Sequence, residues 1–206
     1  MFALVESGSI TKILKGNKGI TIGDNQYPAA IFTIWTEAER KAIGIYTVEA
    51  DNTNYKDTQW YINTNQSIAY DSSADKVKAT YGTATAKAHA DTKWTQSEID
   101  AGQAPAGADT NTVRLEGLKT ILIRQVKTDA KSNLKETDWY VTRKAEEDTA
   151  IPSSITTHRK AVRTKQAAME TAITNAADAP ALETLYTYTT TDGVTSRPLG
   201  EFPVKE

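Results

Sequence analysis

Four carboxylates crowd one short stretch of the chain, Asp138, Glu146, Glu147 and Asp148, and two histidines, His89 and His158, stand apart from them. Glycoside hydrolysis needs two carboxyl groups facing each other across a sugar. These four lie on or beside one helical segment, interleaved with Arg143 and Lys144, a pattern that reads as ion pairing along a helix surface. Neither histidine sits in an HxxxH or HExxH setting, which disfavours a zinc site, and the chain has no cysteine, which excludes cysteine metal sites and thiolate chemistry. Gly16-Asn17-Lys18-Gly19 lacks the spacing and the long following helix of a phosphate loop and reads as a turn. Asp71, Asp75, Asp91 and Asp100 do not follow calcium-loop spacing. No catalytic, metal-binding or cofactor-binding residue is therefore assigned.

What remains are residues suited to contact. Tyr61, Tyr70 and Tyr81 fall in strand-like runs, where each would present a flat apolar body with a polar tip. They suit a glycan-binding or subunit-binding face, or ordinary cross-strand packing. Trp139, Arg143, Arg159 and Arg163 lie on basic helical segments that suit either solvent or an acidic partner. Tyr186, Tyr188 and Phe202 lie in a C-terminal stretch expected to dock on a partner.

The elements that position these residues read as α+β. Residues 1–85 are expected to form a small antiparallel β meander with one short helix. Its strands are expected at 2–5, 10–14, 20–22 and 26–32, then 45–48, 59–63, 67–70 and 77–85. Residues 59–63 and 67–70 would pair as a hairpin around Thr64-Asn65-Gln66, with Trp60 and Tyr61 facing opposite ways. Thr36 with Glu39 forms a capping box for a helix at 37–43, which Gly44 would end. Trp35 precedes that helix at a position suited to the core.

Residues 86–111 are polar and Ala-rich and read as a linker or arm, with one turn of helix at 96–101. Residues 112–178 read as an αα-hairpin. Leu115, Leu118, Leu122, Val126 and Ala130 give a helical stripe over 112–133. A short helix follows at 138–147, and a longer one begins at Ser153 or Ser154 and runs to about residue 177. Ile155, Val162, Met169 and Ala176 are spaced by seven, but the second row of a heptad is largely polar, which disfavours a coiled coil. Residues 179–206 read as an extended docking tail with a strand at 185–189.

Hydrophobic residues make up 39% of the 206 and the formal charge is −2. So thin an apolar share suggests an elongated chain that gains burial from neighbouring subunits. So small a charge gives no field to recruit nucleic acid or an anionic membrane. No stretch approaches the length of apolar chain that spans a bilayer, and the first residues lack the basic and apolar regions of a signal peptide. The expectation is a protein made in the cytoplasm, soluble or bound in an assembly.

The run Asp138-Trp139, Thr142-Arg143, Glu146, Ile151-Pro152, then Arg159 with Val162-Arg163, resembles tail-fibre assembly and tail-associated proteins of tailed phages, especially those infecting marine cyanobacteria. The opening is similar to phage tail-fibre proteins in its hairpin over 2–14, in Tyr27-Pro28 and in the acidic helix between Trp35 and Gly44. The resemblance implies a virion protein of the tail, baseplate or fibre region, made in the host cytoplasm. It would be an adaptor without enzymatic activity or cofactor, whose partners are other tail or fibre proteins in a homo- or hetero-oligomeric assembly. The alternative it implies is an assembly chaperone that leaves before the particle is complete.

Overall fold

The computed structural model describes residues 1–205, so the last residue of the expected tail, Glu206, lies outside the described residues. The chain is α+β and divides into two compact units, Met1–Thr85 and the stretch from Ala86 onward.

In the first unit, β1 (Phe2–Glu6) and β2 (Ser9–Leu14) pair antiparallel around Ser7-Gly8. A second hairpin joins β3 (Ile20–Ile22) to β4 (Asn25–Tyr27). The strand expected over 26–32 stops at Tyr27, because Pro28 has no N–H to extend a ladder. Ile31 and Phe32 donate instead to the carbonyls of Pro28 and Ala29 and open a short helix, α1 (Ile31–Ile34). The helical turn buries both side chains on one side, which alternation along a strand would forbid.

The unit therefore holds two short helices where one was expected. The second, α2 (Glu37–Ala42), carries the expected capping box: Thr36 N donates to Glu39 Oε2 at 2.7 Å and Glu39 N to Thr36 Oγ1 at 3.3 Å. Gly44 follows at φ +81°, and a Cβ there would lie 2.7 Å from the carbonyl oxygen of Val5. Only glycine fits this helix exit, which places Gly44 O to accept from Val5 N as β5 (Ile45–Asp51) begins.

The expected antiparallel meander is corrected by the next pairing. β8 (Lys76–Tyr81) runs parallel to β5, with Val48 opposite Val77 and Ala50 opposite Ala79. A long connection lets the chain return in the same sense. It holds β6 (Tyr61–Ile62) and β7 (Gln66–Asp71). The expected hairpin between 59–63 and 67–70 does not form. β7 pairs instead with β8, across a turn in which Asp71 Oδ1 accepts from Ser73 Oγ and from the amides of Ser73 and Ala74. The Ser73 hydroxyl first, and the Ala74 amide next, hold that carboxyl down at about 2.

The sheet order is β2-β1-β5-β8-β7, and the sheet curls so that its edge strands β2 and β7 approach each other. Leu4, Leu14, Ile20, Ile31, Phe32 and Ile45 form a core cluster, with Phe2, Tyr27 and a half-buried Trp35 packed against it. β9 (Thr85–Ala86) carries the chain into the second unit.

Residues 86–111, expected as a linker or arm, hold regular structure. β10 (Thr92–Lys93) precedes α3 (Gln96–Asp100), whose own capping box pairs Thr95 with Glu98. β11 (Val113–Leu115) then pairs with β10, so the helix expected from residue 112 starts later, as α4 (Leu118–Lys135). The arm satisfies that helix's first amides: Leu118 N donates to Ala88 O, Lys119 N to His89 O, and Gly117 N to Asp91 Oδ1 at 2.7 Å.

α5 (Asp138–Glu147) and α6 (Ser153–Asn175) follow. α4 packs on α6. The stripe Leu118, Leu122, Val126 and Ala130 is buried, as are Ile155, Val162, Met169 and Ala176. The seven-residue repeat is thus covered within one chain.

The tail expected to be extended from residue 179, with a strand at 185–189, begins as α7 (Ala179–Tyr186). Asp178 caps it, accepting from Ala181 N at 2.8 Å, and Pro180 sits in its first turn, where a missing N–H costs nothing. A small exposed hairpin follows, β12 (Thr189–Thr191) with β13 (Val194–Ser196). The remaining residues return to the helices: Leu199 is buried, its N–H donates to Leu185 O, and Lys165 Nζ donates to Leu199 O at 2.7 Å.

Candidate functional site

The segment from Thr137 to Arg163 divides into an internal part and an external part. Thr137 closes the corner after α4: its hydroxyl donates to Leu134 O at 2.8 Å and the residue is fully buried. Arg159 reaches the same point from α6. Its Nη1 donates to Thr137 Oγ1 at 2.7 Å, to Asp138 Oδ1 at 2.9 Å and to Leu134 O at 3.1 Å. A guanidinium that is itself buried has its donors directed at fixed acceptors, so Arg159 fixes how α4, α5 and α6 meet.

Trp139 and Arg143 face outward. The Trp139 side is 51% exposed and Val141 43%, large values for apolar side chains on a ten-residue helix. Arg143 lies one turn on from Trp139, with its guanidinium carbon 4.7 Å from that ring's centroid and 5.6 Å from the Tyr140 ring. Among the described residues Arg143 makes no hydrogen bond or ion pair, whereas Lys144 is neutralised by Asp148 at 2.5 Å. Tyr140 completes the cluster; a Trp-Tyr pair of this kind suggests burial in sequence, but here Trp139 is half exposed and Tyr140 only partly covered. The signal of the cluster was that pair with an arginine four residues after the tryptophan.

The three strand tyrosines do not converge. Tyr61 is buried, with Lys56 Nζ 4.4 Å from its ring centroid. Trp60 is buried beside it, against the expectation that the two alternate. Both amides donate to Asp57 O: Trp60 ends a turn and Tyr61 opens β6, so the two are not consecutive residues of one strand and need not alternate. Tyr70 stands opposite Val77 and Tyr81 opposite Gln66, on one face of the β7–β8 ladder but at its two ends. Tyr70 and Tyr46 donate to the same oxygen, Asp75 Oδ1, at 2.9 and 2.7 Å, and their rings meet edge-on. The Tyr46 hydroxyl first, and that of Tyr70 next, lower the Asp75 carboxyl below its usual range. The bonds to Tyr70 and then Asp75 push the Tyr46 phenol far up. A phenol so held stays protonated at physiological pH and acts as a hydrogen-bond donor, not a nucleophile.

On the C-terminal segment, Arg197 lies over Tyr186 and Tyr188 at 5.3 and 5.1 Å, and Tyr188 donates to Glu201 at 2.6 Å. That bond raises the Tyr188 phenol, and burial raises that of Tyr186. Phe202 is half-buried and Arg163 exposed on α6. Among the described residues no group of His, Asp or Glu side chains is placed to hold a metal ion, and no helix is long and apolar enough to cross a membrane.

No family model, curated protein or solved structure matches the chain. Trp139, Tyr140 and Arg143 are brought together as one exposed cluster, and Arg159 is drawn inside. Trp, Tyr and Arg are the residue types that most often dominate protein–protein binding energy, since each combines large apolar area with a directional polar group.

Proposed function

We propose that the chain is a structural protein of the tail, baseplate or fibre region of a phage particle, an adaptor that joins tail or fibre subunits and carries out no chemistry. One observation carries the reading: Trp139 stands half exposed beneath an Arg143 that has no acidic partner among the described residues. A neighbouring subunit that offers a carboxylate to Arg143 and an apolar surface to Trp139 would complete both. The residues that carry the resemblance to tail-associated proteins, from Asp138-Trp139 to Val162-Arg163, support the same assignment.

In this reading α4 and α6 act as an αα-hairpin that holds α5 outward. The exposed Arg163 and Tyr188 provide further contact area, toward the roughly 1,200 Å² a stable interface needs. Partners are other tail or fibre proteins in a homo- or hetero-oligomeric assembly, with no nucleic acid, membrane or cofactor involved. The chain is made in the host cytoplasm and ends in the particle.

Quantitative mass spectrometry of purified particles tests this. Stoichiometric presence supports the adaptor. Abundance in infected cells with absence from particles replaces it with the assembly chaperone.

A further inference from the structure

Gln125, Asp129 and Asn133 recur every four residues along one face of α4 and line a cavity of about 470 Å³ against α7 and the C-terminal segment. The volume lies within the range of small-molecule sites, roughly 300–1,000 Å³. Buried Met169 and Leu199 close an apolar floor, and half-buried Phe202 supplies a ring at the rim. Gln125 Nε2 donates to Asp129 Oδ1 at 2.7 Å, and Asn133 Nδ2 to Asp129 O at 2.8 Å. Among the described residues Asp129 Oδ2 and both amide oxygens accept from nothing else, and each amide keeps a second N–H to give.

Charge narrows the ligand. Arg197 is the one cation lining the cavity among the described residues, and Glu201 neutralises it at 2.7 Å. A phosphate or carboxylate ligand in this cavity therefore meets no free positive charge; Lys205 lines only the second cavity, beyond Phe202. A metal cation would use Asp129 and the amide oxygens but leave the apolar ring and the amide N–H groups idle, and among the described residues no group of acidic or histidine side chains is placed to hold one. A ligand with one apolar face and neighbouring hydroxyls uses all of them, the hydroxyls donating to Asp129 and accepting from the amides. A second cavity of about 580 Å³ shares Ser132, Asn133 and Phe202 with the first, so the space continues past the ring. We propose that this cleft binds a neutral oligosaccharide, with a sugar ring against Phe202 and vicinal hydroxyls on Asp129, Gln125 and Asn133.

Saturation-transfer NMR on the full chain tests it. The probes are neutral tetrasaccharides of α- and β-linked glucose, galactose, mannose and N-acetylglucosamine, with spermidine and inorganic phosphate as competitors. At least one tetrasaccharide binds and neither competitor displaces it. Asp129→Asn and Phe202→Ala each weaken binding about tenfold or more, the first by losing a bond to a charged group and the second by losing a stacked aromatic surface. Lys144→Ala leaves binding unchanged. Circular dichroism confirms that each variant is folded, and Asn133→Ala replaces any that is not. The proposal is overturned if no tetrasaccharide binds, if binding survives both substitutions, or if spermidine occupies the cleft in their place.

Discussion

Arg159 donates to the hydroxyl of Thr137 at 2.7 Å, across 22 residues of sequence, at a point where Thr137 is fully buried. The same guanidinium nitrogen reaches Asp138, whose side chain is 60% exposed. The two contacts are unequal. An exposed carboxylate recovers water when its partner is lost, whereas buried acceptors do not. Arg159→Ala should cost about 2 kcal/mol and Asp138→Ala less than about 1 kcal/mol, read as shifts in the urea midpoint. Equal losses would mean that the ion pair, not the buried corner, holds the helices.

Trp139 should separate stability from assembly. Its removal exposes little new surface and forfeits a cation–π contact at an open site, so Trp139→Ala should melt within about 1 kcal/mol of the parent. Incorporation into particles, followed by mass spectrometry after complementation, should fall sharply. Full incorporation would remove the cluster from the proposed interface.

The seven-residue repeat on α6 lies against α4, so its role is intramolecular. Met169→Ala should cost about 3 kcal/mol and lower the melting temperature by the same amount at low and high protein concentration. A loss that grows on dilution would place the repeat between copies instead.

Asp91 links pH to the start of α4. The Gly117 amide first, and the Thr120 hydroxyl next, lower its carboxyl. A lowered folded value gives stability that is present above the ordinary carboxyl range and lost as pH falls through the folded value. Asp91→Asn should therefore have a lower urea midpoint than the parent at pH 7, and the difference should close as pH falls below the ordinary carboxyl range. A constant difference across that range would assign the effect to shape, not charge.

Local signals were the ones legible in the sequence. Thr36 and Glu39 lie three residues apart, and the box they form is present; Gly44 and the extent of α5 were equally readable. The α+β class followed from the change of period near residue 112. The parallel β5–β8 pairing was not legible, because nothing near Val48 names Val77 as its neighbour. Tyr186 and Tyr188 mimicked strand alternation, while the stronger signal, Asp178 capping a turn with Pro180, lay a few residues upstream. Of the candidate site, Trp139 and Arg143 were named from the resemblance and the basic character of the segment; that the guanidinium lies over the ring follows only once α5 is formed. The burial of Arg159 was not, since its acceptors Leu134 and Thr137 belong to a corner made only when three helices meet.

Gly117 sets a limit on how this helical half can be transplanted. A Cβ there would fall 2.3 Å from the carbonyl carbon of Ala90, so backbone meets backbone with no room between. Substitution by alanine would cost about 3 kcal/mol. A recombination breakpoint between residues 91 and 117 would hand a recipient α4 without the polypeptide that terminates it. A fragment that keeps the helices capped has to begin upstream of Ala88, so the smallest portable unit is longer than the helices themselves.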